Sequence, residues 1–269
     1  MPQRLAIFGI TGRMGQSILR VLRGETRWRL IGAVASSTSS RLDQDAAGDG
    51  QSCGVLVTSD PQAALIDAEG RKADVAVDFS AASAVAAHAR ACTAAGVPLL
   101  IGTTGLDAHC QAALQRAAKD VPILLAPNTS VGVGVLAELV RKAAAALPAS
   151  FDVEIHEAHH RMKRDAPSGT ALKLGDIIAQ ARCQNLADVA VYDRHGAGLR
   201  APGSIGFSVV RAGDIVGEHT VVFAGPGERL EITHRASDRD VFARGALAAA
   251  DWLAGRTPGV YSMQDVLSQ

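Results

Sequence analysis

Residues 154–171 read EIHEAHHRMKRDAPSGTA and crowd His156, His159 and His160 together with Glu154, Glu157, Asp165, Arg161, Lys163 and Arg164. Two chemistries use such a set: metal ligation, and proton transfer beside a bound anion. The substring from His156 to His160 fits H-E-x-x-H letter for letter, but a zinc site of that type needs its two histidines one helical turn apart on one face. The surrounding FDVEIHEAH instead alternates apolar Phe151, Val153 and Ile155 with polar Asp152, Glu154 and His156, which is the period of a strand. Residues four apart on a strand are separated by about 13 Å, too far for two imidazoles to share one ion. Pro167 also bars a helix on the downstream side. No metal is expected.

The second chemistry fits better. His159, His160 and Lys163 form a cationic group that can hold an anion and donate protons. From Pro167-Ser168-Gly169-Thr170 a helix is predicted to continue through Ile178, with Leu174, Ile177, Ile178 and Ala181 at core spacing. Backbone N–H groups of Gly169 and Thr170 at its start, with the Thr170 hydroxyl, suit a substrate carboxylate, and glycine lets a ligand come close. Asp165 or Ser168 can equally cap this helix, and the two roles are compatible. The combination points to a small dianionic molecule, a dicarboxylate, as partner.

These residues need a scaffold. Short continuous aliphatic runs, Leu5 to Phe8, Leu30 to Ala35, Gly54 to Thr58, Val75 to Phe79, Leu99 to Ile101 and Ile123 to Ala126, read as strands buried on both faces. Helical stretches such as Ser83 to Ala95 and Asp107 to Ala118 supply the cover. That pattern is α/β: an N-terminal Rossmann-type, doubly wound parallel sheet. Beyond residue 130, alternating strands and the turn signals Gly213-Asp214 and Gly225-Pro226-Gly227 predict a smaller α+β domain with an open mixed sheet. The helical tail from Asp240 to Ala254 can return to the first domain, through Val241, Leu247, Ala248 and Leu253. The expected division is 1–130, completed by 240–269, and 131–239.

After the first strand comes Gly9-Ile10-Thr11-Gly12-Arg13-Met14-Gly15, opening a helix. Such a turn is either plain strand-to-helix geometry or a pyrophosphate cradle; its position at the chain start, between strand and helix, favours the cradle, with Arg13 adding charge. Its spacing, G-x-x-G-x-x-G, departs from G-x-G-x-x-G. The second strand ends Ala35-Ser36-Ser37-Thr38-Ser39-Ser40-Arg41, without the carboxylate that normally takes the ribose hydroxyls of NAD. Ser36, Ser37 and Arg41 suit a 2'-phosphate, which leans towards NADPH over NADH, while a solvated serine loop is the bland alternative. Asp78-Phe79-Ser80 and Gly102-Thr103-Thr104-Gly105 lie at carboxyl ends of strands, where ligands of such folds sit, although Thr104 or Asp107 can simply cap the next helix. Ala126-Pro127-Asn128-Thr129 falls at the expected domain junction.

Composition sets outer limits. Lys plus Arg equals Asp plus Glu, 27 each, so no overall basic field draws nucleic acid or anionic membrane. No apolar run approaches the ~20 residues of a membrane span or forms a signal peptide, so a cytoplasmic chain is expected. Cys53, Cys92, Cys110 and Cys183 form no C-x-x-C pair and read as reduced, small buried hydrophobes.

GITGRMG, DFS, GTTG, NTSVGV, EAHHRMKRDAPSGTA and the ending GVYSMQDVL together resemble the 4-hydroxy-tetrahydrodipicolinate reductase family of lysine biosynthesis, over the whole chain. The resemblance implies NAD(P)H-dependent reduction of that cyclic substrate with loss of water. It implies that His159 and Lys163 are the acid/base pair, that His160 contacts substrate, and that Gly169 and Thr170 bind its carboxylate. Gly9 to Met14, Gly102 to Thr104 and Ala126 to Thr129 would contact the cofactor, and so would Ser36 and Ser37, which stand where the family often has an acidic-basic pair. A homotetramer with a nucleotide domain hinged to a substrate and oligomerisation domain is implied as well. The rivals are a dehydrogenase of a semialdehyde or another imine, and a non-catalytic NADPH sensor, which has no need of His159, His160 and Lys163.

Overall fold

The computed structural model describes residues 1–196 and 198–268. In chain order the elements are β1 (Gln3–Phe8), α1 (Arg13–Leu22), β2 (Trp28–Val34), β3 (Val57–Thr58), β4 (Val75–Asp78), α2 (Ala82–Ala95), β5 (Leu99–Ile101), α3 (Ala108–Ala117) and β6 (Pro122–Leu125). There follow α4 (Val131–Ala146), β7 (Asp152–His159), α5 (Gly169–Ala181), α6 (Leu186–Val189), β8 (Ala190–Val191), β9 (Ile205–Arg211), β10 (Gly217–Gly225) and β11 (Glu228–Ala236). The chain ends with α7 (Asp240–Ala254), β12 (Gly259–Ser262) and α8 (Met263–Leu267). Two compact units result, one of residues 1–131 with 240–269 and one of residues 132–239.

In the first unit seven strands run in the order β12-β6-β5-β4-β1-β2-β3, every pairing parallel. Alternation explains the two layers of cover, because successive side chains of a strand point to opposite faces. Leu5, Ile7, Val75 and Val77 pack with α1 and α7, while Ala6, Phe8, Ala76 and Ile101 pack with α2 and α3. Both faces are therefore apolar, which is why these strands read as continuous aliphatic runs. Asp240 at the start of α7 accepts a hydrogen bond from the Ser17 hydroxyl at 2.5 Å and pairs with Arg20 at 3.1 Å, fastening the returning tail to α1. Ala248 is exposed on α7; its buried stripe runs instead through Ala243, Ala246, Leu247, Ala250 and Leu253.

The predicted third strand shrinks to Val57–Thr58, because Asp45 gathers the preceding loop. Its carboxylate accepts from the backbone of Ala47, Cys53 and Gly54 and from the Ser52 hydroxyl, and these bonds hold its carboxyl below the usual carboxylate range against the raising effect of burial. Helices α4, α6 and α8 and strands β8 and β12 were not predicted. Helix α4 begins directly after the Asn128-Thr129-Ser130 segment, and β12 adds a seventh parallel strand beside β6. Cys92 and Cys110 are buried as expected, whereas Cys183 is exposed, at a left-handed residue (φ 55°) just past α5.

The second unit is a five-stranded mixed sheet, β11-β10-β7-β9-β8, in which β7 runs antiparallel to β10 and parallel to β9. One face is covered by α4 and α5, through Leu136, Val140, Leu174 and Ile178 packed on Val153, Ile155, Phe207 and Phe223. The opposite face of β7 carries Asp152, Glu154 and His156.

Candidate active site

Strand β7 sorts its polar residues by parity. His156 lies exposed on the uncovered face, whereas Glu157 and His159, two residues apart, share the covered face. The H-E-x-x-H letters therefore fall on opposite sides of a sheet, with His160 just beyond the strand end. Among the described residues no group of three or more His, Cys, Asp or Glu is arranged to hold a metal ion.

Glu157 is only 3% exposed and is surrounded by donors. Arg211, from β9, donates to its Oε2 from Nη1 at 2.8 Å and to Oε1 from Nη2 at 2.7 Å. His159 Nδ1 lies 2.6 Å from Oε2, and the backbone N–H of Ser168 donates to Oε1 at 3.0 Å. Burial alone would raise the Glu157 carboxyl, but the bonds from Arg211, His159 and Ser168 outweigh it and hold the group below its ordinary value. An ionised carboxylate only accepts hydrogen bonds, so His159 carries its hydrogen on Nδ1 and presents Nε2 as its other functional atom. Burial pushes His159 below the ordinary histidine range, more than Glu157 raises it, and the charges of Lys163 and Arg211 add to the lowering.

Behind His159 stands His219 of β10, ring to ring at 5.2 Å in an edge-on arrangement. Burial, with the neighbouring His159 next in weight, lowers His219 to about 4, so it is neutral near pH 7. Its Nε2 lies 3.1 Å from the Ser168 hydroxyl, which itself accepts from Ala171 N–H as the N-cap of α5. The cap is Ser168, not Asp165: Asp165 pairs instead with Lys163, Nζ to Oδ2 at 2.9 Å. The Leu172 N–H bonds the Ser168 carbonyl, so Gly169 and Thr170 occupy the two positions at the very tip of the helix. A Cβ placed on Gly169 would project into open space. His159, Lys163, Ser168 and the α5 tip are thus joined by hydrogen bonds and charge; His160 directly follows His159, where β7 ends.

The first unit holds the other residues predicted to bind. Strand order reverses between β1 and β4, which makes the crevice at their carboxyl ends the topological switch point of the sheet. Gly9 sits there with φ 83°, and a Cβ on it would stand 2.5 Å from the Phe79 carbonyl oxygen. Gly15 packs equally close on the Gly9 carbonyl. Helix α1 starts at Arg13 with no side-chain cap and no acidic residue in its first turn, which leaves its positive end suited to an anion. Thr11, Gly12 and Arg13 are exposed around it and Met14 partly so, but Ile10 is fully buried, its N–H bonded to the Val34 carbonyl and its own carbonyl to Gln16 Nε2. This arrangement fits a dinucleotide pyrophosphate.

The neighbouring loops are tied by Asp78, which is wholly buried and accepts from Ser80 N–H (2.8 Å), from the Ser80 and Thr103 hydroxyls (2.6 and 3.0 Å) and from His88 Nδ1 (2.8 Å). Thr103 is accordingly a buried tie, while Gly102 lies against the Phe79 ring and Thr104 is exposed. Helix α3 is capped by Asp107, accepting from Cys110 N–H at 2.7 Å, which leaves Thr104 out of that role. Ala126 is buried and its N–H bonds the Ile101 carbonyl, Pro127 is exposed, Asn128 turns back on Ser130 N–H, and the Thr129 hydroxyl bonds the Phe242 carbonyl at 2.7 Å. Ser36 and Ser37 are exposed at the end of β2. Arg41 is turned away into its own loop, donating from Nη2 to the carbonyls of Asp45 and Ala47 at 2.6 and 2.9 Å. One terminal nitrogen of the cation that favours a 2'-phosphate is thereby bonded within its own loop.

Family models for the N-terminus and the C-terminus of dihydrodipicolinate reductase match residues 3–129 and 132–267. The chain belongs to the dihydrodipicolinate reductase family. Proteins named 4-hydroxy-tetrahydrodipicolinate reductase from Nitrosomonas eutropha and Thiobacillus denitrificans are each 49% identical to it, over 98% and 99% of this chain and 97% and 99% of theirs. Among solved structures, the dipicolinate-bound dihydrodipicolinate reductase from Paenisporosarcina sp. TG-14 superposes with a TM-score of 0.77 at 24% identity, covering 98% of this chain and 99% of that one. At that identity the likeness speaks to the fold. For this dihydrodipicolinate reductase family member, sequence reasoning gave no role to Glu157, Arg211, His219 or His88, and it placed Asp78 among the ligand-facing strand ends where the structure has it as a buried tie. Only Glu157 left a legible signal: in an alternating strand, E-x-H puts carboxylate and imidazole on one face.

Proposed function

We propose that this chain catalyses the NAD(P)H-dependent reduction of 4-hydroxy-tetrahydrodipicolinate to tetrahydrodipicolinate with loss of water, in diaminopimelate and lysine biosynthesis in the cytoplasm. One observation supports this above the others: a single buried carboxylate, Glu157, hydrogen-bonds both His159 and the capping residue of the α5 tip, joining a proton-handling group to an anion cradle. Gly169 and Thr170 hold a substrate carboxylate through backbone N–H groups and the Thr170 hydroxyl. His160 contacts the substrate. Reduction of a conjugated imine leaves negative charge on the substrate, and the Lys163 ammonium stabilises that charge and donates the proton, with His159 assisting the transfer.

The first unit is the dinucleotide-binding domain and residues 132–239 the substrate-binding and oligomerisation domain. When bound, NADPH or NADH supplies the hydride. Residues Gly9 to Met14 hold the pyrophosphate, and Ser36, Ser37, Gly102 to Thr104 and Ala126 to Thr129 line the remainder of the nucleotide site. With no carboxylate at Ser36 and Ser37 and with Arg41 bonded to carbonyls, comparable kcat/KM for the two nucleotides is expected. The chain assembles as a homotetramer through residues 132–239; sedimentation analysis returning a monomer would reject it.

The deciding experiment follows nicotinamide absorbance with freshly made 4-hydroxy-tetrahydrodipicolinate and each nucleotide. Substrate-dependent oxidation of the cofactor is expected; nucleotide binding without turnover would favour the sensor. No helix among the described residues is long and apolar enough to cross a membrane.

A further inference from the structure

We infer that Glu157 is the positioning residue of the active site: from inside the sheet it fixes the tautomer and orientation of His159 and, through the same carboxylate, the start of α5. This rests on the reading of His159 as a proton-handling group. The reasoning begins with cost. A carboxylate at this depth loses its hydration, and an apolar residue of similar size would pack against α5 without that penalty. Ladder bonds and the apolar contacts of Val153 and Ile155 already secure β7. What an apolar residue cannot do is accept four hydrogen bonds from three directions.

Each bond has a consequence for the site. The 2.6 Å contact to Nδ1 fixes which nitrogen of His159 carries the permanent hydrogen, leaving Nε2 to gain and lose the exchangeable one. The bond to Ser168 N–H anchors the residue immediately before Gly169 and Thr170. Arg211 closes the arrangement, because Nη2 also donates to the Asp165 carbonyl at 2.6 Å, in the loop that carries Lys163. The charged or titratable groups facing His159 are Glu157 on its own strand, Arg211 on β9, His219 on β10, and Lys163 in the loop after β7.

Glu157 and Arg211 act on His159 with opposite sign, the carboxylate favouring the imidazolium and the guanidinium opposing it. The test uses Glu157→Gln and Arg211→Met in the full-length protein. Histidine labelled with 13C at Cε1 is titrated by NMR, with the His159 signal assigned by its loss in His159→Gln. The His159 midpoint is expected to move to lower pH by about one unit in Glu157→Gln and to higher pH in Arg211→Met. The pH limb of kcat should move with it, kcat should fall about tenfold or more in Glu157→Gln, and KM for NADPH should stay unchanged. A midpoint that stays put in Glu157→Gln, or that moves the same way in both variants, overturns the inference. If Glu157→Gln does not fold, the direction of the Arg211→Met shift decides alone, and no upward shift overturns it. The titration needs no substrate, so a wild-type protein that fails to turn over refutes the proposed function separately.

Discussion

The two proposed binding regions are built from different materials. At the switch point between β1 and β4 the chain offers mostly backbone: a left-handed glycine, an uncapped helix start and exposed hydroxyls, with Asp78 buried beneath as a structural tie. At the end of β7 it offers charged side chains arranged around one buried carboxylate. The difference follows from the tasks. A pyrophosphate is a fixed anion that N–H groups can cradle, and the cofactor brings its own chemistry. A substrate that must be protonated needs groups with adjustable proton affinity, and those need partners to set their state.

If that contrast is right, changes in the two regions should fail differently. The largest effect is expected from Lys163→Ala or His159→Gln, which should lower kcat by roughly 10²- to 10⁴-fold while leaving NADPH affinity unchanged, as steady-state kinetics and fluorescence titration would show. Near-normal turnover in both would dissolve the distinction. Next is acid sensitivity in the side-chain region. His219 is depressed in the folded state to about 4, so the unfolded chain takes up its proton first as pH falls. The stability this histidine contributes is complete above the unfolded value of ~6.5 and is lost as pH drops towards 4, roughly 3 kcal/mol in all. Denaturant melts of wild type and His219→Gln across that window should show a shallower pH slope in the variant.

In the backbone region a single methyl group should suffice. Gly9→Ala puts a Cβ at φ 83° against the Phe79 carbonyl, so a loss of about 2 kcal/mol is expected together with weaker nucleotide binding, measured by thermal melting and titration. An unchanged melting temperature would mean that the loop is not held as the structure shows. The smallest effect sharpens the substrate side: Thr170→Val should raise substrate KM about tenfold through loss of one hydrogen bond to a charged group, with NADPH binding intact. An effect confined to nucleotide binding would assign Thr170 to the other region.

Much of the molecule was legible from residue order. Aliphatic runs marked β1, β2, β4, β5 and β6 because both of their faces are covered, and alternation marked β7 because only one is. Asp240 to Ala254 matched α7 at both ends, since an acidic start and a run of strong helix formers are local properties. Strand β12 was missed because its four residues carry little pattern of their own; they are a strand because Val260 and Tyr261 find Ile123 and Leu124 on β6. Helix α4 was not anticipated, although Leu136, Val140 and Ala144 recur at helical spacing; its first turn carries Gly132 and Gly134, which weaken the local helix signal.

The division is sharpest within EIHEAHHRMKRDAPSGTA. Residue types and spacing alone pointed to a strand followed by a helix start, argued against a helical pair of histidines, and singled out His159, Lys163, Gly169 and Thr170 as candidates. Those are consequences of local stereochemistry. What depended on Arg211 and His219, which lie more than forty residues further along the chain, is that Glu157 stays ionised at depth and so fixes the His159 hydrogen on Nδ1, and that the Ser168 hydroxyl has a buried imidazole beside it. The reason is physical: the state of a titratable group is set by the charges and donors within a few ångströms of it, and only folding decides which those are.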